Sequence, residues 1–354
     1  MSECAVCTIV TKSHLAYARV LAQTLRAHNP GATLVVLLAD RVEGFFEPAE
    51  EPFRVVQLHE LAAQDAVERM SFYYSQRELS FALRGLFHQY MLERTSHEAW
   101  VFLDSDIMIC GSLQPLFDQL SRASILLNPH RTHPAQQSDI DPAELNQLRT
   151  GVYNGGCLGL RRTDEARRFV DWFASRLERY AFDDHAVAQE RGMFGDQLWL
   201  NLVPLYFSDV GLCRHPGVNV GHWALGERTL TRDDGGAVRC NGELLLFVHF
   251  SGWDVAQPTR VSRFTPAEGQ NVQPIWSELG VRYRELLLKN GLEATSRLPY
   301  AFANFSNGQP IEMSHRKHYY DAVVAGTTSN LPPFFRAEVG RKPGILARWR
   351  TPTQ

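Results

Sequence analysis

Six cysteines in 354 residues, at Cys4, Cys7, Cys110, Cys157, Cys213 and Cys240, are too few and too apolar in setting to staple a secreted scaffold. Cys4-x-x-Cys7 has the spacing of a zinc or redox pair, but no second Cys or His pair stands at finger spacing. Both thiols therefore read as core residues of an apolar first strand. No apolar run approaches the roughly 20 residues that span a bilayer, and the start Met1-Ser2-Glu3-Cys4 carries an acid where a signal peptide carries a base. The expected location is the cytoplasm. With 36 basic against 39 acidic residues and a net charge of -3, there is no basic field to draw nucleic acid as a partner. Also missing are a Gly-x-x-x-x-Gly-Lys phosphate loop, a Gly-x-Gly-x-x-Gly after the first strand and a Gly-x-Ser-x-Gly elbow. P-loop, dinucleotide and serine-hydrolase readings lose their main support with them.

What is present suits an ordinary globular chain: 44% hydrophobic and 21% charged residues can bury one large core or two modest ones. Cys4 to Val10 reads as a strand, Leu15 to Leu25 as an amphipathic helix stopped by Asn29-Pro30-Gly31, and Thr33 to Ala39 as a second strand closed by Asp40. Arg54 to Leu58 is a third strand and Leu61 to Met70 a short helix. Helical spacing over Leu79 to Glu93 leads into the apolar segment from Ala99. Further strands are expected at Ser124 to Asn128, Val152 to Leu160 and Leu244 to Phe250, and helices at Thr163 to Tyr180 and Trp276 to Lys289. The alternation predicts an α/β fold, a Rossmann-like mixed, mostly parallel sheet flanked by helices, with a helical and loop-rich C-terminal extension. The expected divisions are residues 1–257, 258–330 and a basic tail 331–354.

The most informative segment is Ala99-Trp100-Val101-Phe102-Leu103-Asp104-Ser105-Asp106-Ile107-Met108-Ile109, two carboxylates inside an otherwise buried run. Unpaired charge is costly there unless a cation or hydrogen bonds compensate it. Residues at i and i+2 of an extended segment face one side, so Asp104 and Asp106 are expected to share a divalent ion. The same motif also serves where one carboxylate caps a turn and the other pairs with an arginine. Polar clusters at other strand ends, Thr8 to Thr11, Asp40 and His249-Phe250-Ser251-Gly252, should converge with Ser105 on one crevice, since parallel sheets bind ligands at their carboxyl ends. His249 is the expected third ligand. Two carboxylates with an imidazole suit Mn2+, or Mg2+, better than Ca2+. Such an ion can hold a nucleotide diphosphate and stabilise its departure, which fits transfer of a sugar.

Five segments in order, Ser80-Phe81-Ala82-Leu83-Arg84, Val101 to Asp106, Tyr153-Asn154-Gly155-Gly156-Cys157-Leu158-Gly159, Gly195-Asp196-Gln197-Leu198-Trp199-Leu200-Asn201 and His249 to Gly252, resemble glycosyltransferases of the type A fold. The likeness is to the retaining family that includes glycogenin and the bacterial lipopolysaccharide galactosyltransferases, with relatives in polysaccharide gene clusters. It spans most of residues 5 to 255. The resemblance implies that Thr8, Thr11 and Asp40 contact the base and ribose of a nucleotide, most often uridine, and that Arg84 faces the diphosphate or donor sugar. It puts Asn154, Gly155 and Gly156 against the donor sugar, and Asp196 and Gln197 beside the anomeric carbon. Asp196 also stands where it would cap a helix over Gln197 to Leu202.

The related enzymes carry a Lys shortly after the His and Gly, where this chain has Gly252-Trp253-Asp254. Arg260 or Arg263 is expected to supply that cation, and Trp253 to stack on a sugar ring. Trp223 and Tyr300 are further aromatic candidates, and the His130-Arg131-Thr132-His133-Pro134 loop is read as a contact to donor or acceptor, or as a plain polar loop. Partners implied are a UDP-sugar donor and a glycan or lipid-linked acceptor. The tail with Arg336, Arg341, Lys342, Arg348 and Arg350 is either solvated or drawn to an anionic membrane face. Two other readings stay open: a nucleotidyltransferase or sugar-nucleotide hydrolase, and an inactive sugar or nucleotide binding module.

Overall fold

A computed structural model describes residues 4–136, 141–183, 186–265, 273–328 and 332. The basic tail, with Arg336, Arg341, Lys342, Arg348 and Arg350, lies outside the described residues. The chain opens with strand β1 (Cys4–Val10), helix α1 (Leu15–His28), β2 (Thr33–Leu38) and β3 (Arg54–Gln57). Helices α2 (Gln64–Tyr73), α3 (Gln76–Ala82) and α4 (Arg84–Arg94) lead to β4 (Ala99–Leu103), the short β5 (Ile107–Ile109), α5 (Gln114–Leu120) and β6 (Ile125–Pro129). Then come α6 (Asn146–Thr150), β7 (Tyr153–Arg161), α7 (Asp164–Leu177), α8 (Ala186–Arg191), α9 (Val203–Tyr206) and β8 (Val210–Leu212). Short strands β9 (Leu230–Arg232), β10 (Val238–Cys240), β11 (Glu243–Leu244) and β12 (Phe247–His249) precede α10 (Pro274–Lys289), α11 (Leu292–Thr295) and α12 (Met313–Val324).

The main sheet has seven strands in the order β3-β2-β1-β4-β7-β6-β8. β3, β2, β1 and β4 run parallel, and β7 runs antiparallel to both β4 and β6. The expected mixed, mostly parallel sheet flanked by helices is therefore the observed one. The chain winds outward through β1, β2 and β3 and returns to β4 on the other side of β1. A crevice must open where that order reverses, at the carboxyl ends of β1 and β4.

Three boundaries differ from the sequence reading. The helix expected over Leu79 to Glu93 is two, because Ser75 and Glu78 cap α3 reciprocally and start it earlier, and Leu83 at ψ -11° turns the chain between them. That bend leaves Arg84 at the first position of α4. The strand expected over Leu244 to Phe250 is split: β11 pairs with β10, then Leu246 crosses to donate to the Gly217 carbonyl at 2.8 Å, and β12 pairs with β5. Third, α12 has little amphipathic signal and was not expected. It is held instead by the buried Arg316, which donates to the carbonyls of Phe72, Tyr74 and Phe302 at 2.5, 2.7 and 2.8 Å.

The C-terminal helices cover the sheet side helices. Trp276, Tyr283 and Leu287 of α10 are buried with Ala16 and Val20 of α1, and Tyr283 stacks on Phe250 with ring centroids 4.2 Å apart. This packing anchors the segment just after His249 from behind. No helix among the described residues is long and apolar enough to cross a membrane.

Candidate active site

β4 buries all five of its residues and ends at Leu103. Asp104, Ser105 and Asp106 then form a tight turn into β5. The two carboxylates thus approach across a turn, and not by alternation along an extended strand as expected. β12 lies antiparallel to β5 with His249 opposite Ile107, which sets the imidazole against that turn. Ligand atoms of Asp104, Asp106 and His249 all lie within 4.8 Å of one another. His249 Nε2 is 3.1 Å from Asp106 Oδ1 and 3.7 Å from Asp104 Oδ2. Burial opposes charge on His249, but Asp106 and then Asp104 outweigh it and raise its pKa. Burial likewise works against the charge on Asp106, and the neighbouring imidazole reverses it and holds that carboxyl below its usual range.

Arg84 is buried between the carboxylates. Its Nη1 donates to the Gly155 carbonyl and to Asp196 Oδ2, both at 2.7 Å, and its Nη2 donates to Asp104. The guanidinium also lies 4.5 Å from the centre of the Phe102 ring. The arginine pairing that an Asp-x-Asp motif permits is therefore present together with the three-ligand cluster. Burial raises the pKa of Asp196, with Arg84 acting against it. Asp196 precedes the short 3-10 turn Gln197–Leu202 but makes no side-chain cap, because its carboxylate is engaged by Arg84.

Gly155 and Gly156 lie in β7 where its register against β6 shifts between Leu158 and Tyr153, and both are also sites of close approach. A Cβ on Gly156 would fall 2.4 Å from Asp104 Oδ2 and 2.6 Å from His249 Cε1. One on Gly155 would meet Arg84 Nη1 and Asp196 Oδ2 at 2.9 Å. Behind the cluster runs a buried amide chain that sequence reasoning missed. His249 Nδ1 donates to Asn219 Oδ1 at 3.0 Å, and Asn219 Nδ2 donates to Asn128 Oδ1 at 2.7 Å and Asn154 Oδ1 at 3.0 Å. Asn154 Nδ2 reaches His130 Nε2 at 3.1 Å. Gln197 accepts from the Gly155 amide at 3.1 Å and donates to the Thr150 carbonyl at 2.7 Å.

The cluster opens on a cleft of about 590 Å3. Thr11, Arg84, Asp104, Ser105, Asp106, His249, Gly252, Trp253 and Arg263 all line it. Ser13, His14, Tyr17 and Gln76, not singled out from the sequence, line it as well. Gln76 Nε2 donates to Thr11 Oγ1 at 2.7 Å and joins two walls that are 65 residues apart in the chain. Ser13-His14 after Thr11-Lys12, and Gln76 within Ser75-Gln76-Arg77-Glu78, read as ordinary polar helix starts and carry no signal for such a wall.

Other expected site residues lie away from the cleft lining. Thr8 is wholly buried, and Asn154, Gly155, Gly156, Asp196 and Gln197 form the layer just behind the cluster. Asp40 is 2% exposed and accepts from the amides of Lys12, Arg41 and Ala301 at 3.3, 2.8 and 2.9 Å. Lys12, itself fully buried, adds an ion pair to Asp40 at 3.6 Å. Burial raises the Asp40 pKa, and these amides and Lys12 oppose the rise. Arg260 is exposed and donates to Gln257 Oε1 at 2.9 Å, outside the cleft that Arg263 enters. Trp223 stands edge-on to His249, 5.1 Å between ring centres, while Tyr300 packs against Phe302 at 5.5 Å. Of the 130–134 loop, His130 belongs to the amide chain, and Thr132 and His133 donate backbone amides to Glu227.

No family model matches the chain. In sequence it is similar to the uncharacterised protein YfnF of Bacillus subtilis (strain 168), 24% identical over 270 residues that cover 73% of this chain and 84% of YfnF. YfnD of the same organism is 26% identical over 250 residues, 70% of this chain and 76% of YfnD. In structure it is similar to the galactosyltransferase LgtC in complex with donor and acceptor sugar analogues, with a TM-score of 0.50 at 16% identity over 80% of this chain and 95% of LgtC. The mixed seven-stranded sheet with its reversal between β1 and β4 is the type A glycosyltransferase fold, shared with LgtC.

Proposed function

We propose that this chain is a glycosyltransferase that uses a divalent metal, Mn2+ or Mg2+, to move a sugar from a nucleotide diphosphate donor, with UDP as the carrier, to a hydroxyl of a glycan or lipid-linked acceptor. The observation that carries the reading is the Asp104, Asp106 and His249 cluster at the end of β4, open to the cleft. The donor set fits such an ion: two carboxylates and one imidazole, with His249 Nδ1 already committed to Asn219 so that Nε2 faces the acids. Bound there, the ion would supply Lewis-acid stabilisation of the departing diphosphate.

The chain's own groups fit the remaining tasks. Thr11, Ser13, His14 and Gln76 offer hydroxyl, imidazole and amide partners for base and ribose along one wall. Arg263 enters the cleft without an ion pair among the described residues, and serves as the cation for the diphosphate in place of the absent Lys. Arg84 fixes Asp104 and Asp196 and acts on the substrate through them. Gln197 is held on both sides by the backbone, and Asp196 is neutralised by Arg84, so neither is free as a covalent nucleophile. Retention is carried over from the family resemblance, and the lack of a free nucleophile then favours same-face attack over a covalent intermediate: the acceptor oxygen bonds to the anomeric carbon as the bond to the diphosphate breaks, and the acceptor's proton passes to a diphosphate oxygen. We assign the chemistry and most of donor binding to residues 1–257, and support of the cleft, together with the Arg263 cation, to 258–330.

The test is calorimetric titration with UDP in the presence and absence of Mn2+, on the wild type and on Asp104→Asn, followed by turnover of UDP-sugars with and without glycan acceptors. Metal-dependent UDP binding lost in the variant, with turnover that needs an acceptor, supports the reading. Equal turnover without acceptor would assign a hydrolase or nucleotidyltransferase instead, and tight binding without turnover an inactive binding module.

A further inference from the structure

None of the residues in the buried amide chain behind His249 lines the cleft, and Asn219 is the one that meets the imidazole. Asn219 is wholly buried and stands in the left-handed region at φ 53°, which a short Asn tolerates and most side chains do not. Its backbone is fixed beside β12: the Val220 amide donates to the Phe247 carbonyl at 3.2 Å and the His249 amide to the Val220 carbonyl at 2.9 Å. The side chain therefore has no freedom to choose another partner for His249.

Its orientation is set by the acceptors around it. Asn128 Oδ1 and Asn154 Oδ1 take the two amide protons. Asn154 is itself fixed the same way round, since its Oδ1 also accepts from the Gly156 amide at 3.0 Å. With both Asn219 protons placed, its oxygen is the atom left for His249 Nδ1, and an oxygen there accepts only from Nδ1–H. The proton is held at Nδ1, which leaves Nε2, facing Asp104 and Asp106, as the nitrogen able to ligate a cation.

We infer that Asn219 is a positioning residue that sets the His249 tautomer for metal ligation and so determines the affinity of the Asp104, Asp106 and His249 cluster for a divalent cation. The inference rests on the metal reading above and adds a residue that touches neither cation nor substrate. Outer partners of a ligating histidine typically change metal affinity by about 10- to 100-fold.

The experiment measures Mn2+ affinity by calorimetry, without nucleotide, for the full-length wild type, Asn219→Gly and Asn219→Asp, with metal-free thermal melts alongside. Glycine accepts the positive φ but removes the acceptor, whereas aspartate keeps an acceptor for Nδ1–H. Both variants remove the Nδ2 donor and with it the hydrogen bonds to Asn128 and Asn154, so a purely structural role would lower Mn2+ affinity in both. The expected result is Mn2+ affinity lower by about 10-fold or more in Asn219→Gly and within a few-fold of wild type in Asn219→Asp. Unchanged affinity in Asn219→Gly, or equal loss in the two variants, overturns the inference alone. A wild type that binds no Mn2+ overturns the metal reading and this inference with it.

Discussion

Arg84 and Asp196 form a buried ion pair, Nη1 to Oδ2 at 2.7 Å, and the same guanidinium holds Asp104 on its other nitrogen. One cation thus sits between a residue of the Asp104, Asp106 and His249 cluster and a residue of the layer behind it. Removing it strands two carboxylates, of which Asp196 is 3% exposed. Arg84→Ala is expected to cost about 3–5 kcal/mol of stability, the usual penalty for an uncompensated buried charge, measured by urea unfolding. Arg84→Lys should recover little of it, since one ammonium cannot copy the planar fork that meets Asp104, Asp196 and Gly155. Full stability in Arg84→Lys would show that charge alone matters here.

Gly156→Ala places a methyl group where Asp104 Oδ2 and His249 Cε1 now stand. The Gly156 carbonyl accepts from the Asp104 amide at 3.0 Å and its amide donates to Asn154 Oδ1 at 3.0 Å, so the ligands are expected to move. Mn2+ affinity should fall by at least about 10-fold, because ligand geometry sets metal affinity. Gly31→Ala is the control, since nothing lies within 4 Å of its Cβ and it has no positive φ. A Gly156→Ala chain that folds and binds Mn2+ like the control would sink this account of the glycine pair.

These two sites show what the sequence made legible. Asp104, Asp106 and His249 stood out because charge inside apolar strands demands compensation, and the alternation of strands and helices was enough for the sheet. The same reasoning did not reveal the partners of Asp40. A polar residue at a strand end reads alike whether it faces a ligand or, as here, a buried Lys12 and the Ala301 amide 261 residues away. Asn219 carried no signal at all, since its role depends on a loop crossing beside β12. Arg84 was singled out, but its partners were not, because the helix break at Leu83 that aims it is a backbone event with no Pro to announce it, and the neighbouring Gly85 answers to close packing on Ala174.

His88 is fully buried under β4 and accepts from Trp100 Nε1 at 3.0 Å through Nδ1. Burial, aided by Arg84, lowers its pKa to about 3, and His130 is likewise lowered to about 3 by burial. The unfolded chain takes up protons at these rings below about pH 6.5, while the folded chain does not until about pH 3. Their contribution to stability is therefore complete above about pH 6.5 and is lost as pH falls from there toward 3. Each ring accounts for a slope of up to about 1.4 kcal/mol per pH unit in that window. His88→Gln keeps an acceptor for Trp100 and does not titrate, so its urea midpoint should fall less than that of wild type between pH 7 and 5. An identical fall in both chains would mean that His88 is not the group being protonated.

Arg263 and Arg260 separate the candidate phosphate cations, because only the former enters the cleft. Both are exposed, and Arg260 already donates to Gln257. A solvent-facing arginine against a diphosphate acts through a charge-assisted bond of about 1.5–3 kcal/mol, so Arg263→Ala should weaken UDP binding in Mn2+ by about 10- to 100-fold. Arg260→Ala should leave it within about twofold. Lysine at 263 keeps a point charge and should recover part of the loss, and that recovery should shrink as ionic strength rises. If uridine binding weakens as much as UDP binding in Arg263→Ala, the side chain serves the nucleoside or the shape of the cleft, and the diphosphate must find its cation elsewhere.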